Sequence, residues 1–105
     1  MSKKYKIGIV GLGAIGLQIA QTIDQGNLSN FDLVAIATRD EKKATRNLEP
    51  FNHIPDITSI KNVCRSADII VECAPAAIFR TIIEETIKAG KTLIPASVGA
   101  LLPYP

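Results

Sequence analysis

One hundred and five residues, 11.3 kDa, suffice for one hydrophobic core, and a chain of this size buries about two-thirds of the surface its unfolded form exposes. A hydrophobic fraction of 47%, a mean hydropathy of +0.20 and only 21% charged residues exclude a disordered polyelectrolyte, while 7 Gly and 6 Pro exclude collagen-like or Pro-rich material. Twelve Lys plus Arg against ten Asp plus Glu give +2, so no nucleic-acid partner is expected and any anion site must be local.

Residues 6–10 (KIGIV) form a short run rich in branched apolar side chains, a strand that Gly11-Leu-Gly-Ala-Ile-Gly16 interrupts with a tight turn. Lys3, Lys4 and Lys6 before the longer apolar run Ile7 to Ala20 imitate a signal peptide, but glycines at 8, 11, 13 and 16 suit a turn better than a helical leader. The run is also too short to span a bilayer, so no membrane partner is expected. From Ala14 onward Ile15, Ile19 and Ile23 recur at i, i+4 and i+8, predicting an amphipathic helix stopped by Gly26-Asn27.

Residues 33–38 (LVAIAT) are a second apolar run, as in a strand covered on both faces, and Asp40 has the character of an N-cap for a polar helix over 41–48. Pro50 and Pro55 make 49–58 a loop with at most a short edge strand. A short helix over 59–66 turns Ile60, Val63 and Cys64 inward, and 69–73 (IIVEC) is another buried strand. Pro75 suits the first turn of a helix over 76–89, whose stripe comprises Ile78, Phe79, Ile82, Ile83 and Ile87; Gly90 ends it and 92–98 is a final strand.

Five strands alternating with four helices over short connections predict an α/β fold: a Rossmann-type doubly wound parallel sheet of order 3-2-1-4-5. No linker or repeat divides the chain, so residues 1–105 are expected to be one dinucleotide-binding domain. The ending Pro103-Tyr-Pro105 reads as a unit cut before a second region begins.

Gly11-x-Gly13-x-x-Gly16 after a strand and at the opening of a helix is the context that the dinucleotide fingerprint requires. Gly11 permits the turn, Gly13 admits the pyrophosphate and Gly16 allows close helix packing, while N–H groups at the helix start meet phosphate. A glycine-rich turn that binds nothing is the less favoured alternative. Cofactor choice falls where the second strand ends, in Ala37-Thr38-Arg39-Asp40. Thr38 stands where NAD sites place a carboxylate, so Arg39 is the candidate for a 2′-phosphate or an adenine face. This inclines the reading to NADP while keeping NAD, although an exposed Arg beside a helix start is commonly just a solvated charge.

Cys73-Ala74-Pro75 and Ser97-Val98-Gly99 follow strands four and five and should line the nicotinamide side of the site. Cys73 lacks a neighbouring His or Lys to activate it, and Cys64 suits core packing. Glu72 is unusual within an apolar strand: it either meets a polar edge or hydrogen-bonds in the cleft. His53 sits in a Pro-flanked loop and suits the surface. Two cysteines and one His make neither a disulfide scaffold nor a zinc site, no metal ligand set is expected, and a reducing cytoplasm fits best.

Val10-Gly-Leu-Gly-Ala-Ile-Gly16, Val71-Glu-Cys-Ala-Pro75 and Ser97-Val-Gly-Ala-Leu101, in this order, resemble the amino-terminal domain of L-aspartate dehydrogenases, which belongs with homoserine-dehydrogenase-type NAD(P)-binding domains. The resemblance covers nearly the whole chain. It implies NAD(P)-dependent oxidative deamination of L-aspartate through iminoaspartate, in a route feeding NAD synthesis, by the full-length enzyme acting on that small amino-acid substrate. It further implies a second α/β domain carrying the catalytic His, most substrate contacts and the dimer interface. Carry-over therefore stops at the cofactor half: Gly11, Gly13, Ala14, Ile15 and Gly16 at the pyrophosphate, Arg39 near the adenosine, Cys73, Ala74 and Pro75 by the nicotinamide ribose, and Ser97, Val98, Gly99 and Ala100 beside the ring. No residue here inherits catalysis. Another dehydrogenase or reductase, such as homoserine dehydrogenase, and a non-enzymatic dinucleotide module remain open. Homo-oligomerisation through an apolar surface around Ile94, Val98, Leu101 and Leu102 is also expected.

Overall fold

The structure, a computed structural model, describes residues 4–26, 29–74 and 76–96. Strand β1 (Tyr5–Val10) passes through the glycine turn into α1 (Ala14–Asp24), followed by β2 (Phe31–Ala37), α2 (Glu41–Leu48) and β3 (Asp56–Ile57). Helix α3 (Ile60–Ser66), β4 (Ile69–Glu72), a 3₁₀ turn (Ala76–Ile78), α4 (Phe79–Ala89) and β5 (Thr92–Pro95) complete the order.

The strands form one sheet ordered β3-β2-β1-β4-β5 with every pairing parallel, as the alternation predicts. All strand carboxyl ends therefore lie along one edge: Val10 pairs with Ala37 on one side and Glu72 on the other, and Glu72 with Pro95.

Alternating residues of each strand face opposite cores. Ile7, Ile9, Ile36 and Val71 pack with Ala20 and Ile23 of α1 and Ala44 and Leu48 of α2. Val10, Ala35, Ala37 and Ile70 pack on the other face with Val63 and Cys64 of α3, Ala67, and Ile82 of α4. Burial on both faces is why the strands read as unbroken apolar runs. The edge strand β3 has only two residues, which fits its Pro-flanked sequence.

Two predicted stripes are corrected. In α1 the buried positions are Gly16, Ala20 and Ile23, whereas Ile15 is 58% exposed. The helix starts pressed against the glycine turn, so its sheet-facing side must be built from small residues, which a count of bulky side chains overlooks. In α4 the buried positions are Ile82 and Thr86, and Ile87 is 71% exposed. Thr86 can be inside because its hydroxyl donates to the Ile82 carbonyl at 2.7 Å. The 3₁₀ turn over the first three residues of the predicted helix also delays the α-helical phase to Phe79. The last strand is described as Thr92–Pro95, so Ser97 and Val98 of the longer predicted strand lie outside the described residues.

Candidate functional site

The site starts where the chain leaves β1. The Gly11 N–H donates to the Ala37 carbonyl at 2.7 Å, which lays the turn across the end of β2. Gly11 has φ +96°, and a Cβ there would stand 2.7 Å from the Cys73 carbonyl carbon and oxygen and 2.8 Å from Ala74 Cα. Both the left-handed backbone and this contact demand glycine. Gly16 points back at the same turn, where a Cβ would overlap the Gly11 carbonyl oxygen and lie 3.5 Å from Cys73 Cβ.

Gly13 is different. Its φ of −84° and ψ of −159° suit any residue, and nothing of the described protein lies within 4 Å of the Cβ it lacks. It is the N-cap of α1, with no side-chain capping bond, and its carbonyl accepts from the Leu17 N–H at 2.9 Å. No acidic residue stands in the first turn. The opening N–H groups of α1, at Ala14, Ile15 and Gly16, thus have neither intrahelical acceptors nor a capping side chain, and Gly13 to Ile15 are exposed. Bare space, free donors and the positive helix end together suit an anion.

Beyond β2, Thr38 is half-buried and Arg39 exposed. Asp40 is committed to the helix: its carboxylate accepts from the Lys43 N–H at 3.0 Å as the N-cap of α2. Arg39 is thus the exposed cation of the link between β2 and α2.

At the end of β4 the Cys73 N–H donates to the Val10 carbonyl at 2.8 Å, seating residues 73 and 74 under the glycine turn. Burial, aided by the nearby Glu72 carboxyl, pushes the half-buried Cys73 thiol up to about 11 from 9.0, so at neutral pH it is a thiol rather than a thiolate nucleophile. Glu72 is fully buried, and its Oε2 accepts from the Ala74 N–H at 3.0 Å, which decides between the two environments the sequence allowed it. The Ala96 N–H donates to the Glu72 carbonyl at 2.9 Å, so the chain leaving β5 reaches the same edge. Pro75, Ser97, Val98, Gly99 and Ala100 lie outside the described residues.

His53 is elsewhere. Its N–H donates to Asp24 Oδ1 at 3.1 Å, and it borders a hollow with Ile23, Asp24, Asp32, Leu33 and Val34, at the amino ends of the strands and away from the glycine turn. Cys64 is buried with its sulfur 3.6 Å from Thr86 Oγ1. Among the described residues no group of three or more His, Cys, Asp or Glu could hold a metal ion, and no helix is long and apolar enough to cross a membrane. The sequence reading missed the bond from Glu72 to the following turn; a lone carboxylate ending an apolar strand was the available signal.

Residues 11–104 match the family described as the NAD-binding domain of homoserine dehydrogenase. The chain is 40% identical over 101 residues to L-aspartate dehydrogenase of Bradyrhizobium diazoefficiens, covering 96% of this chain and 35% of that protein. It is 36% identical over 107 residues to L-aspartate dehydrogenase 3 of Bordetella bronchiseptica, covering 100% of this chain and 39% of that one. The chain thus spans little more than a third of the length of these relatives. In fold it resembles scyllo-inositol dehydrogenase of Lactobacillus casei in its apo form, with TM-score 0.76 and 23% identity over 89% of this chain and 28% of that one. It also resembles myo-inositol dehydrogenase of the same organism in complex with NAD(H) and myo-inositol, with TM-score 0.75 and 15% identity over 86% of this chain and 27% of that one.

Proposed function

Because the chain belongs to the homoserine dehydrogenase NAD-binding domain family, we propose that residues 1–105 form the domain that holds NAD or NADP for an L-aspartate dehydrogenase, whose full-length form oxidises L-aspartate to iminoaspartate, deamination following when water hydrolyses the imine. The observation that carries the site is the division among the three glycines: Gly11 and Gly16 are required by protein contacts, and Gly13 is bare toward open space at an uncapped helix start. In this reading the N–H groups of Ala14, Ile15 and Gly16 bind the pyrophosphate, Thr38 and Arg39 meet the adenosine ribose or its 2′-phosphate, and Cys73 and Ala74 wall the nicotinamide ribose. Pro75 and Ser97 to Ala100 complete that wall by sequence position.

The bound dinucleotide would supply the hydride acceptor. This chain's residues supply anchorage and orientation, and we assign none of them a catalytic role: His53 lies at the far edge, Cys73 holds its proton, and Glu72 is buried and bonded. Two free cysteines support a reducing cytoplasm. Ile94 of β5, 48% exposed, supports homo-oligomerisation as the expected apolar surface has it; its companions Val98, Leu101 and Leu102 lie outside the described residues.

Titration with NADH and NADPH tests the site: fluorescence should change saturably, and Gly13→Val should abolish the change by filling the phosphate position while the fold is kept. A folded Gly13→Val that binds as well as wild type would remove the turn from the site. With L-aspartate added, the 105-residue chain should bind cofactor without absorbance change at 340 nm, because hydride transfer also needs a positioned substrate and proton acceptor.

A further inference from the structure

The carboxylate of Glu72 has no part in the anchorage described above, yet it is the only buried charged side chain among the described residues. Glu72 ends β4 on the sheet's carboxyl edge, paired with Val10 of the central strand β1 and with Pro95 of β5. Burying a carboxyl is costly unless it is hydrogen-bonded, so its place there calls for a specific partner. One partner is the backbone two residues on: Oε2 accepts from the Ala74 N–H at 3.0 Å. The peptide thereby held, between Cys73 and Ala74, is the one that a Cβ on Gly11 would strike, at 2.7 Å from the Cys73 carbonyl and 2.8 Å from Ala74 Cα. The Glu72 main chain does the same for the next segment, its carbonyl accepting from the Ala96 N–H.

We propose that Glu72 is the positioning residue of the dinucleotide site: its buried carboxyl fixes the Cys73–Ala74 peptide as the floor on which the Gly11 turn rests, and so sets where the opening N–H groups of α1 point. This inference rests on the reading of the glycine turn as the cofactor site. Glycine has no side chain with which to hold its own turn in place, so the turn's shape must be imposed by what it rests on. A carboxyl reaching forward to a main-chain N–H two residues on is a stiff support, because only a short stretch of chain separates the two groups.

The test compares Glu72→Gln and Glu72→Leu in the 105-residue chain, with NADH and NADPH titrations beside thermal melts and amide exchange at Ala74. Glu72→Leu, measured well below its melting temperature, should speed exchange at Ala74 and weaken NADH and NADPH equally, on the order of tenfold, since both share the pyrophosphate. Glu72→Gln keeps an oxygen to accept the same bond and should restore affinity to within about threefold of wild type. A general loss of packing would lower the melting temperature without this rescue. Folded Glu72→Leu binding as tightly as wild type, or Glu72→Gln binding no better than Glu72→Leu, overturns the role of Glu72 alone. A wild-type chain that binds neither nucleotide overturns the cofactor site itself, and this inference with it.

Discussion

Helices α1 and α2 both begin at the carboxyl edge of the sheet, the first after β1 and the second after β2, and they begin in opposite ways. Helix α2 is closed: the Asp40 carboxylate bonds the Lys43 N–H, and Glu41 adds a second negative charge in the first turn. Helix α1 is open, with a glycine for a cap, no side-chain bond and no acid in its first turn. An N-cap carboxylate satisfies donors and complements the helix dipole, so leaving it out forgoes stability that α2 takes. The difference teaches what an anion site requires of a helix start. On the proposed reading, the protein withholds its own carboxylate and its own Cβ so that a bound phosphate can supply the missing acceptor.

The comparison breaks most sharply if α1 is given the cap that α2 has. Gly13→Asp is compatible with the backbone there, and Asp and Gly caps differ by only about a few tenths of a kcal/mol. The variant should melt within a degree or two of wild type and yet lose NADH and NADPH affinity by at least about a hundredfold, because its carboxylate occupies and repels the phosphate. Calorimetric titration beside a thermal melt checks both halves, and retained binding would show that the open start serves no anion.

At the start of α2 the exposed Arg39 is the object. Arg39→Ala should weaken NADPH by about ten- to a hundredfold, the worth of a charge-assisted contact of about 1.5–3 kcal/mol, and NADH by much less. Equal losses would assign Arg39 to the adenine face or to solvent. Asp40→Ala opens the closed helix and should cost about 1 kcal/mol, a drop of about 4–8 °C in Tm for a domain of this size. Unlike the glycine variants it should leave NADH affinity near wild type, since its carboxylate serves the helix. A large loss of NADH binding would instead make Asp40 a ribose ligand.

The sequence carried these two helix starts unequally well. Glycine spacing after an apolar run located the open one, and Asp40 read as a cap because it comes too late for the end of β2. The strands were legible for the same reason: burial on both faces leaves β1, β2 and β4 with unbroken apolar runs. The inward faces of α1 and α4 were not. Gly16 and Ala20 face the sheet because the helix approaches closely there, and Thr86 because a local hydrogen bond cancels its polarity. Periodicity weighs bulk, so it chose Ile15 and Ile87, both exposed. Glu72 showed as an anomaly, but its partner is a main-chain N–H, and no residue type announces that.

Cys73 extends the same logic to the floor of the open start. Its Cβ lies against the position that a side chain on Gly16 would occupy, so a thiolate there would be an anion supplied by the protein beside the proposed phosphate position. Burial first and the Glu72 carboxyl second raise the thiol to about 11. The sign of the consequence follows from linkage: the unfolded thiol ionises near 9.0 and the folded one near 11, so the stabilisation is complete below pH 9 and is lost as pH rises through 11. Cys73 is only half-buried, so water screens part of this and the effect should be smaller than that of Asp40→Ala. In melts from pH 8 to 11, wild type should lose Tm faster than Cys73→Ala, and the gap between them should narrow chiefly above pH 9. Parallel slopes would mean that the thiol ionises as it does in water and that nothing at this floor keeps it neutral.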